Sequence, residues 1–179
     1  TTFRLNISRG LIARGHEVWL ACQLSAEASC AYNEAVSLHL DGALQIDALI
    51  EALHDVIARH EALRVRFSPD GETQTVQPTL RIAVPVSDWS HLSEEERTAH
   101  LTAFTAQNME EPFDLQRGPL VRARLIKTGD QKHRFFFTAH HLVCDGETTG
   151  IVLRELGRHY SARAEGRECR VEPAVQFRE

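Results

Sequence analysis

The sequence lacks the features that mark a secreted, metal-stabilised or membrane-spanning protein. Its four cysteines, Cys22, Cys30, Cys144 and Cys169, form neither a CxxC pair nor a zinc-ligand spacing. We interpret them as reduced thiols. No apolar run approaches the length needed to span a bilayer, and the first residues lack the basic end and apolar core of a signal peptide. We therefore expect a cytoplasmic protein without a membrane partner.

The sequence also lacks an excess of positive charge. It has 20 Lys and Arg against 25 Asp and Glu, a formal net charge of −5, so nothing favours binding to nucleic acid. The length of 179 residues fits one domain or one large lobe. With 42% hydrophobic and 25% charged residues, the chain can bury an ordinary globular core.

The most informative stretch is residues 135–146, which read FFFTAHHLVCDG. It predicts a buried strand that ends in paired histidines, then a short loop, then Asp145-Gly146 at the start of a helix. Strand side chains alternate between the two faces of a sheet. One face should carry Phe135, Phe137, Ala139 and His141, and the other Phe136, Thr138, His140 and Leu142. Only one of the two histidines can therefore point into a given cleft.

A histidine at a strand-to-helix corner suits proton transfer at neutral pH. The alternative is that a buried histidine is a hydrogen-bonded core residue, which is the commoner case. The second histidine and the following Asp-Gly favour a catalytic role. Two other possibilities are weaker. Cys144 could be a nucleophile, but a buried cysteine usually behaves as a small hydrophobe. His140, His141 and Asp145 could bind a metal, but adjacent strand side chains point apart.

Hydrophobic periodicity and turn residues predict the remaining elements. A capping box formed by Ser93 and Glu96 marks the start of one helix, and Gly166 marks the end of another. Residues 17–24 are ambiguous between helix and strand. The predicted strands are 34–40, 63–67, 73–77, 80–86, 120–126 and the Phe-rich segment. The predicted helices are 46–57, 93 to about 108, and 147–164.

Several charged residues would be interpreted as solvated from composition alone. These are the Arg-His-Glu charges of residues 59–61, and Arg122 and Arg124 on the strand that precedes the Phe-rich segment.

The order of four segments along the chain changes the interpretation of residues 59–61, which belong to the first of them. Residues 59–67 read RHEALRVRF, close to a pattern RHExLRTxF in which Val65 replaces Thr. The others are AYN at 31–33, DWS at 88–90 and PFDLQRGPLVR at 112–122. Together with HHLVCDG, this set resembles the condensation domains of nonribosomal peptide synthetases, in the chloramphenicol-acetyltransferase-like superfamily. Residues 11–18 depart from the Ser-x-Ala-Gln-x-Arg stretch that is usual there.

The resemblance implies an α/β fold, an α+β two-layer sandwich with a mixed, mostly antiparallel sheet and helices packed on it. It covers the N-terminal, donor-side lobe across residues 1–179, without the C-terminal lobe. In the family, two such lobes form a V with the HHxxxDG motif at their junction. Peptidyl carrier proteins bring donor and acceptor on 4′-phosphopantetheine arms, and an amide bond forms. The chain itself is expected to bind no cofactor and no metal.

The resemblance also assigns roles to site residues. His141 would be the active-site histidine of the motif formed by His140, His141, Asp145 and Gly146, either as a general base or by positioning the amine. Arg64 would form an ion pair with Asp145 that fixes the loop. Gly146, without a Cβ, would let the backbone approach the thioester, and its N–H would face the oxyanion.

Three alternatives remain open from the sequence. An epimerisation domain or an ester-forming acyltransferase of the same superfamily also carries HHxxxD. A non-catalytic module that docks carrier proteins is the third. Heterocyclisation domains are excluded because they replace the histidine pair with aspartate.

Overall fold

The computed structural model describes residues 29–174 and 176, together with the backbone of residues 2–4. The ambiguous segment 17–24 lies outside the described residues. Within them, no helix combines the length and the apolar composition that crossing a bilayer requires.

The main sheet has four strands in the order β2-β7-β6-β5. Strand β2 (Asn33–Asp41) and strand β6 (Val121–Gly129) both pair antiparallel with the central strand β7 (Lys132–His140). Strand β5 (Val86–Asp88) pairs parallel with β6. A second, antiparallel sheet has the order β1-β4-β3, with β1 at Thr2–Arg4, β3 at Val65–Phe67 and β4 at Thr73–Val76. The prediction of a mixed, mostly antiparallel sheet is confirmed.

Helices cover both faces of the main sheet. Helix α1 (Ile46–Arg59) and helix α3 (Gly146–Ala164) pack on the face that carries Phe135 and Phe137, and together they form the main hydrophobic core. Helix α2 (Glu94–Glu110) packs on the opposite face, where Phe104 meets Phe136 with ring centroids 4.8 Å apart. The predicted fold class is therefore confirmed, and α2 adds a third layer to the two that we expected.

Local signals set the helix ends as the sequence indicated. The Ser93 hydroxyl accepts from the Glu96 N–H, while the Glu96 carboxylate accepts from the Ser93 N–H at 2.9 Å. This reciprocal capping starts α2. Asp145 caps α3, and Gly166 follows its end with φ of +66°, a conformation that suits glycine.

Two strand predictions need correction. Residues 61–64 form a 3₁₀ turn, so β3 begins only at Val65. The predicted strand 80–86 is wrong, since β5 begins only at Val86. Pro85 has no N–H to donate to a sheet, and the Ile82 carbonyl is bound by His54 Nε2 at 3.0 Å. Residues 80–85 are thus held by a side-chain contact and do not pair as a strand.

Candidate active site

The paired histidines lie where β7 leaves the sheet, and the backbone on both sides holds them. The His140 N–H donates to the Leu120 carbonyl at 3.0 Å, and the His141 N–H donates to the Tyr32 carbonyl at 2.8 Å. The Val143 N–H then donates back to the His140 carbonyl at 3.0 Å. The backbone that carries both imidazoles is therefore anchored to two neighbouring segments.

His140, the first histidine of the predicted catalytic motif, is buried. Its side chain is inaccessible to solvent and lies between the rings of Tyr32 and Phe113, each with its centroid 6.2 Å away. Burial lowers the pKa of His140 to about 4, and the nearby His141 adds to the effect. Its Nδ1 accepts the Leu142 N–H at 3.2 Å. At neutral pH the ring is uncharged and holds the loop that follows it.

His141 is the exposed member of the pair, with 43% of its side chain accessible. Its Nδ1 lies 3.2 Å from the Cys144 carbonyl oxygen and 3.1 Å from Oε1 of Glu34. Both partners are acceptors, so the neutral ring carries its proton on Nδ1. The lone pair is then on Nε2, the nitrogen that a proton acceptor needs.

Asp145 and Arg64 do not form the predicted ion pair. Asp145 Oδ1 accepts the Thr148 N–H at 2.8 Å, and this bond is the main cause that lowers the pKa of Asp145. Arg64 is buried and donates to carbonyls, at 3.1 Å to Ile57 and 3.2 Å to Pro78, and also to that of Gln77. The prediction is wrong because the first turn of α3 offers Asp145 a closer donor, and unpaired backbone carbonyls take the guanidinium.

Gly146 is the first residue of α3, and a Cβ added there would meet nothing within 4 Å. Packing among the described residues therefore does not require glycine at this position. The open space is compatible with the predicted approach of a thioester, which stays a prediction.

Cys144 does not have the environment of a nucleophile. It is 2% exposed, and burial raises the pKa of its thiol. Its sulfur lies 3.3 Å from the Thr149 hydroxyl. Across residues 29–174, no group of three or more His, Cys, Asp or Glu side chains is arranged to hold a metal ion.

The Arg-His pair before the 3₁₀ turn binds the helix that follows the histidines. Arg59 Nε and His60 Nε2 both contact Oε2 of Glu155 on α3, at 3.0 and 2.8 Å. All three side chains are mostly buried, with accessible fractions of 13–18%. Burial alone would raise the pKa of Glu155, but the hydrogen bonds and charges of His60 and Arg59 outweigh it, and the pKa is lowered. The solvated interpretation that composition alone suggests does not hold for Arg59 and His60.

Arg122 and Arg124 are not simply solvated either. Arg122 lies over the Phe113 ring, 4.2 Å from its centroid, and donates to the Glu111 carbonyl at 2.7 Å. Arg124 lies 5.1 Å from the centroid of Phe104. Both guanidiniums therefore pack on aromatic faces, and Arg122 supports the same Phe113 that contacts His140.

The chain matches the protein-family model described as Condensation domain over residues 16–179. The chain belongs to the condensation domain family. It is 36% identical over 163 residues to chondramide synthase cmdD of Chondromyces crocatus, covering 89% of this chain and 4% of the synthase. It is 35% identical over 166 residues to malpibaldin synthetase of Mortierella alpina, covering 89% of this chain and 3% of that protein.

Solved condensation domains share the fold. The starter condensation domain of the rhizomide synthetase RzmA superposes with a TM-score of 0.85 at 27% identity, covering 99% of this chain and 41% of that one. A complex of the X-domain and OxyB from teicoplanin biosynthesis matches with a TM-score of 0.77 at 31% identity, covering 97% of this chain and 36% of that chain. The resemblance to peptide-synthetase condensation domains is confirmed, and the chain spans 3–4% of the two synthetases and 36–41% of the two solved chains.

Two carboxylates that bind histidines were missed from the sequence, Glu155 at His60 and Glu34 at His141. Glu155 is separated from His60 by 95 positions, so no local pattern connects them. Glu34 is directly opposite Ala139 in the β2–β7 pairing. On β2, Glu34 lies on the same face as Val36, Leu38 and Leu40. A carboxylate among apolar residues on one face of a strand was the feature of the sequence that could have indicated a special role for Glu34.

Proposed function

We propose that this chain is the N-terminal, donor-side lobe of a condensation domain that forms an amide bond. The donor is an acyl or peptidyl thioester on a carrier protein, and the acceptor is an amine. The observation that carries the proposal is the exposed imidazole of His141, oriented through Nδ1 with Nε2 as its acceptor nitrogen. The lobe supplies one wall of the cleft, and activity requires the C-terminal lobe.

The orientation of His141 suits the reaction. The amine nitrogen attacks the thioester carbonyl, the C–N bond forms, and the C–S bond of the tetrahedral intermediate breaks. His141 Nε2 accepts the proton that the amine loses, and that proton ends on the departing thiol. If His141 instead only positions the amine, Nε2 accepts a hydrogen bond from it without taking the proton. The Gly146 N–H at the start of α3 would face the developing oxyanion, where the positive end of the helix dipole favours negative charge.

The partners follow from this reaction. Donor and acceptor arrive as 4′-phosphopantetheine thioesters on peptidyl carrier proteins, and the neighbouring synthetase domains keep them close to the cleft. The phosphopantetheine belongs to the carrier proteins, and this chain is proposed to hold no cofactor of its own. The relatives named above are peptide synthetases, which supports these partners.

A docking module is the second candidate function, because a solved structure with the same fold is a complex of the X-domain with OxyB. Epimerisation or ester formation within the superfamily is the other alternative. The solvent-accessible, oriented His141 favours catalysis over docking, since a docking surface does not need a proton acceptor.

Replacing His141 with alanine in the complete two-lobed domain tests the proposal. With loaded donor and acceptor carrier proteins, intact-protein mass spectrometry follows transfer of the acyl group to the acceptor. Loss of a general base should lower the single-turnover rate about 10²- to 10⁴-fold. His39→Ala is the matched control, because His39 is an exposed histidine of β2, and it should leave the rate unchanged.

If the His141→Ala variant formed the amide at the wild-type rate, the catalytic assignment would be overturned. An epimerised or ester product from the wild-type domain would assign the chain to the related reactions. Carrier-protein binding without any product would establish the docking function.

A further inference from the structure

The described residues place a carboxylate beside the active-site histidine that the HHxxxDG motif does not include. Glu34 lies on β2, and its Oε1 is 3.1 Å from Nδ1 of His141, on the side of the ring away from Nε2. Backbone pairing determines this approach, because Glu34 is opposite Ala139 and the Tyr32 carbonyl accepts the His141 N–H at 2.8 Å. The register of β2 on β7 therefore places Glu34 beside His141.

The hydrogen bond from Nδ1 to the Cys144 carbonyl, 3.2 Å long, already suffices to set the tautomer. A second acceptor at Nδ1 is not needed for that purpose. What Glu34 adds is negative charge next to a ring that becomes positive when Nε2 accepts a proton.

Asp145 also carries negative charge near the ring, since its pKa is lowered and His141 is among the causes. Its Oδ1 accepts the N–H of Thr148 at 2.8 Å, whereas Oε1 of Glu34 lies 3.1 Å from Nδ1 of His141. His140 is uncharged at neutral pH because burial lowers its pKa to about 4, and burial keeps the Cys144 thiol protonated.

We propose that Glu34 is a positioning residue that stabilises the imidazolium form of His141 during proton transfer. The inference rests on the proposed function and deepens it, because it favours the general-base role. If His141 stayed neutral and only held the amine, a charge at Nδ1 would contribute little to the rate.

The test compares Glu34→Gln with Glu34→Asp in the complete domain, with loaded carrier proteins and steady-state kinetics. Glutamine keeps the length and an acceptor oxygen but removes the charge, whereas aspartate keeps the charge on a shorter side chain. We expect Glu34→Gln to lower kcat about two- to fivefold, the effect of one partly exposed ion pair. Glu34→Asp should be faster than Glu34→Gln, and the KM for the acceptor carrier protein should not change in either variant.

Glu95→Gln is the control, because Glu95 is an exposed carboxylate in the first turn of α2, and its kcat should equal that of the wild type. A Glu34→Gln variant with wild-type kcat would overturn the inference. An aspartate variant slower than the glutamine variant would also overturn it, since acceptor geometry and not charge would then matter. The His141→Ala variant distinguishes failure of the role of Glu34 from failure of the proposed function. If His141→Ala is inactive and Glu34→Gln is normal, only the role of Glu34 fails, whereas an active His141→Ala removes the proposed function itself.

Discussion

Replacing His140 with asparagine tests whether the first histidine of the pair is an uncharged structural ring. The amide oxygen of the introduced side chain would stand near the place of Nδ1 and can accept the Leu142 N–H, a bond of 3.2 Å in the wild type. The variant keeps that hydrogen bond, loses the ring contacts with Tyr32 and Phe113, and removes a titratable group from the core.

The expected loss of stability at low pH follows from the shift in the pKa of His140. The pKa of His140 falls from an ordinary 6.5 to about 4 in the folded chain. Between those values the unfolded chain binds a proton that the folded chain excludes, so stability is complete above pH 6.5 and declines as the pH falls to about 4. At about 1.4 kcal/mol per pKa unit, the wild type should lose at most about 3 kcal/mol through this ring.

Urea denaturation of the wild type and His140→Asn, followed by far-UV circular dichroism at pH 7, 5.5 and 4, measures the effect. Other titrating groups are common to both proteins and cancel in the difference between their unfolding free energies. The stability advantage of the wild type should shrink as the pH falls, by an amount approaching the value above. An advantage that is constant from pH 7 to 4 would refute the assignment of His140 as a buried neutral ring.

Two further predictions concern charged side chains. Arg64→Ala should cost about 3 kcal/mol or more, because buried carbonyls lose their donor, and Asp145→Ala only about 0.5–2 kcal/mol, as a lost helix cap. In a double-mutant cycle by urea denaturation the two costs should add within about 0.5 kcal/mol, and a coupling above about 1 kcal/mol would restore the ion pair between them. The lowered pKa of Glu155 means that the stability it contributes is present above about pH 4.5, its ordinary pKa, and is lost as the pH falls further. Glu155→Gln should therefore lose less stability than the wild type between pH 5 and 3, and parallel acid curves would contradict this.

Local chemistry explains which predictions from the sequence were confirmed. The Ser93–Glu96 capping box starts α2, and Gly166 ends α3, because each depends on residues within one helical turn. The expectation that the two histidines lie in different environments agrees with the structure, in which His140 ends β7 and is buried while His141 begins the turn and is exposed. The family motif could be recognised from the sequence because its residues lie within short stretches of the chain.

The identity of side-chain partners was decided only by the tertiary structure. Arg64 binds carbonyls and not Asp145, and which of these a guanidinium chooses depends on the acceptors that folding leaves unpaired nearby. Glu155 meets His60 across 95 positions, and Glu34 meets His141 through the register of β2 on β7. The sequence by itself determined the helices, most of the strands and the motif. The choice among competing donors and acceptors came from packing, because hydrogen bonds and ion pairs act only over the few ångströms that the folded chain establishes.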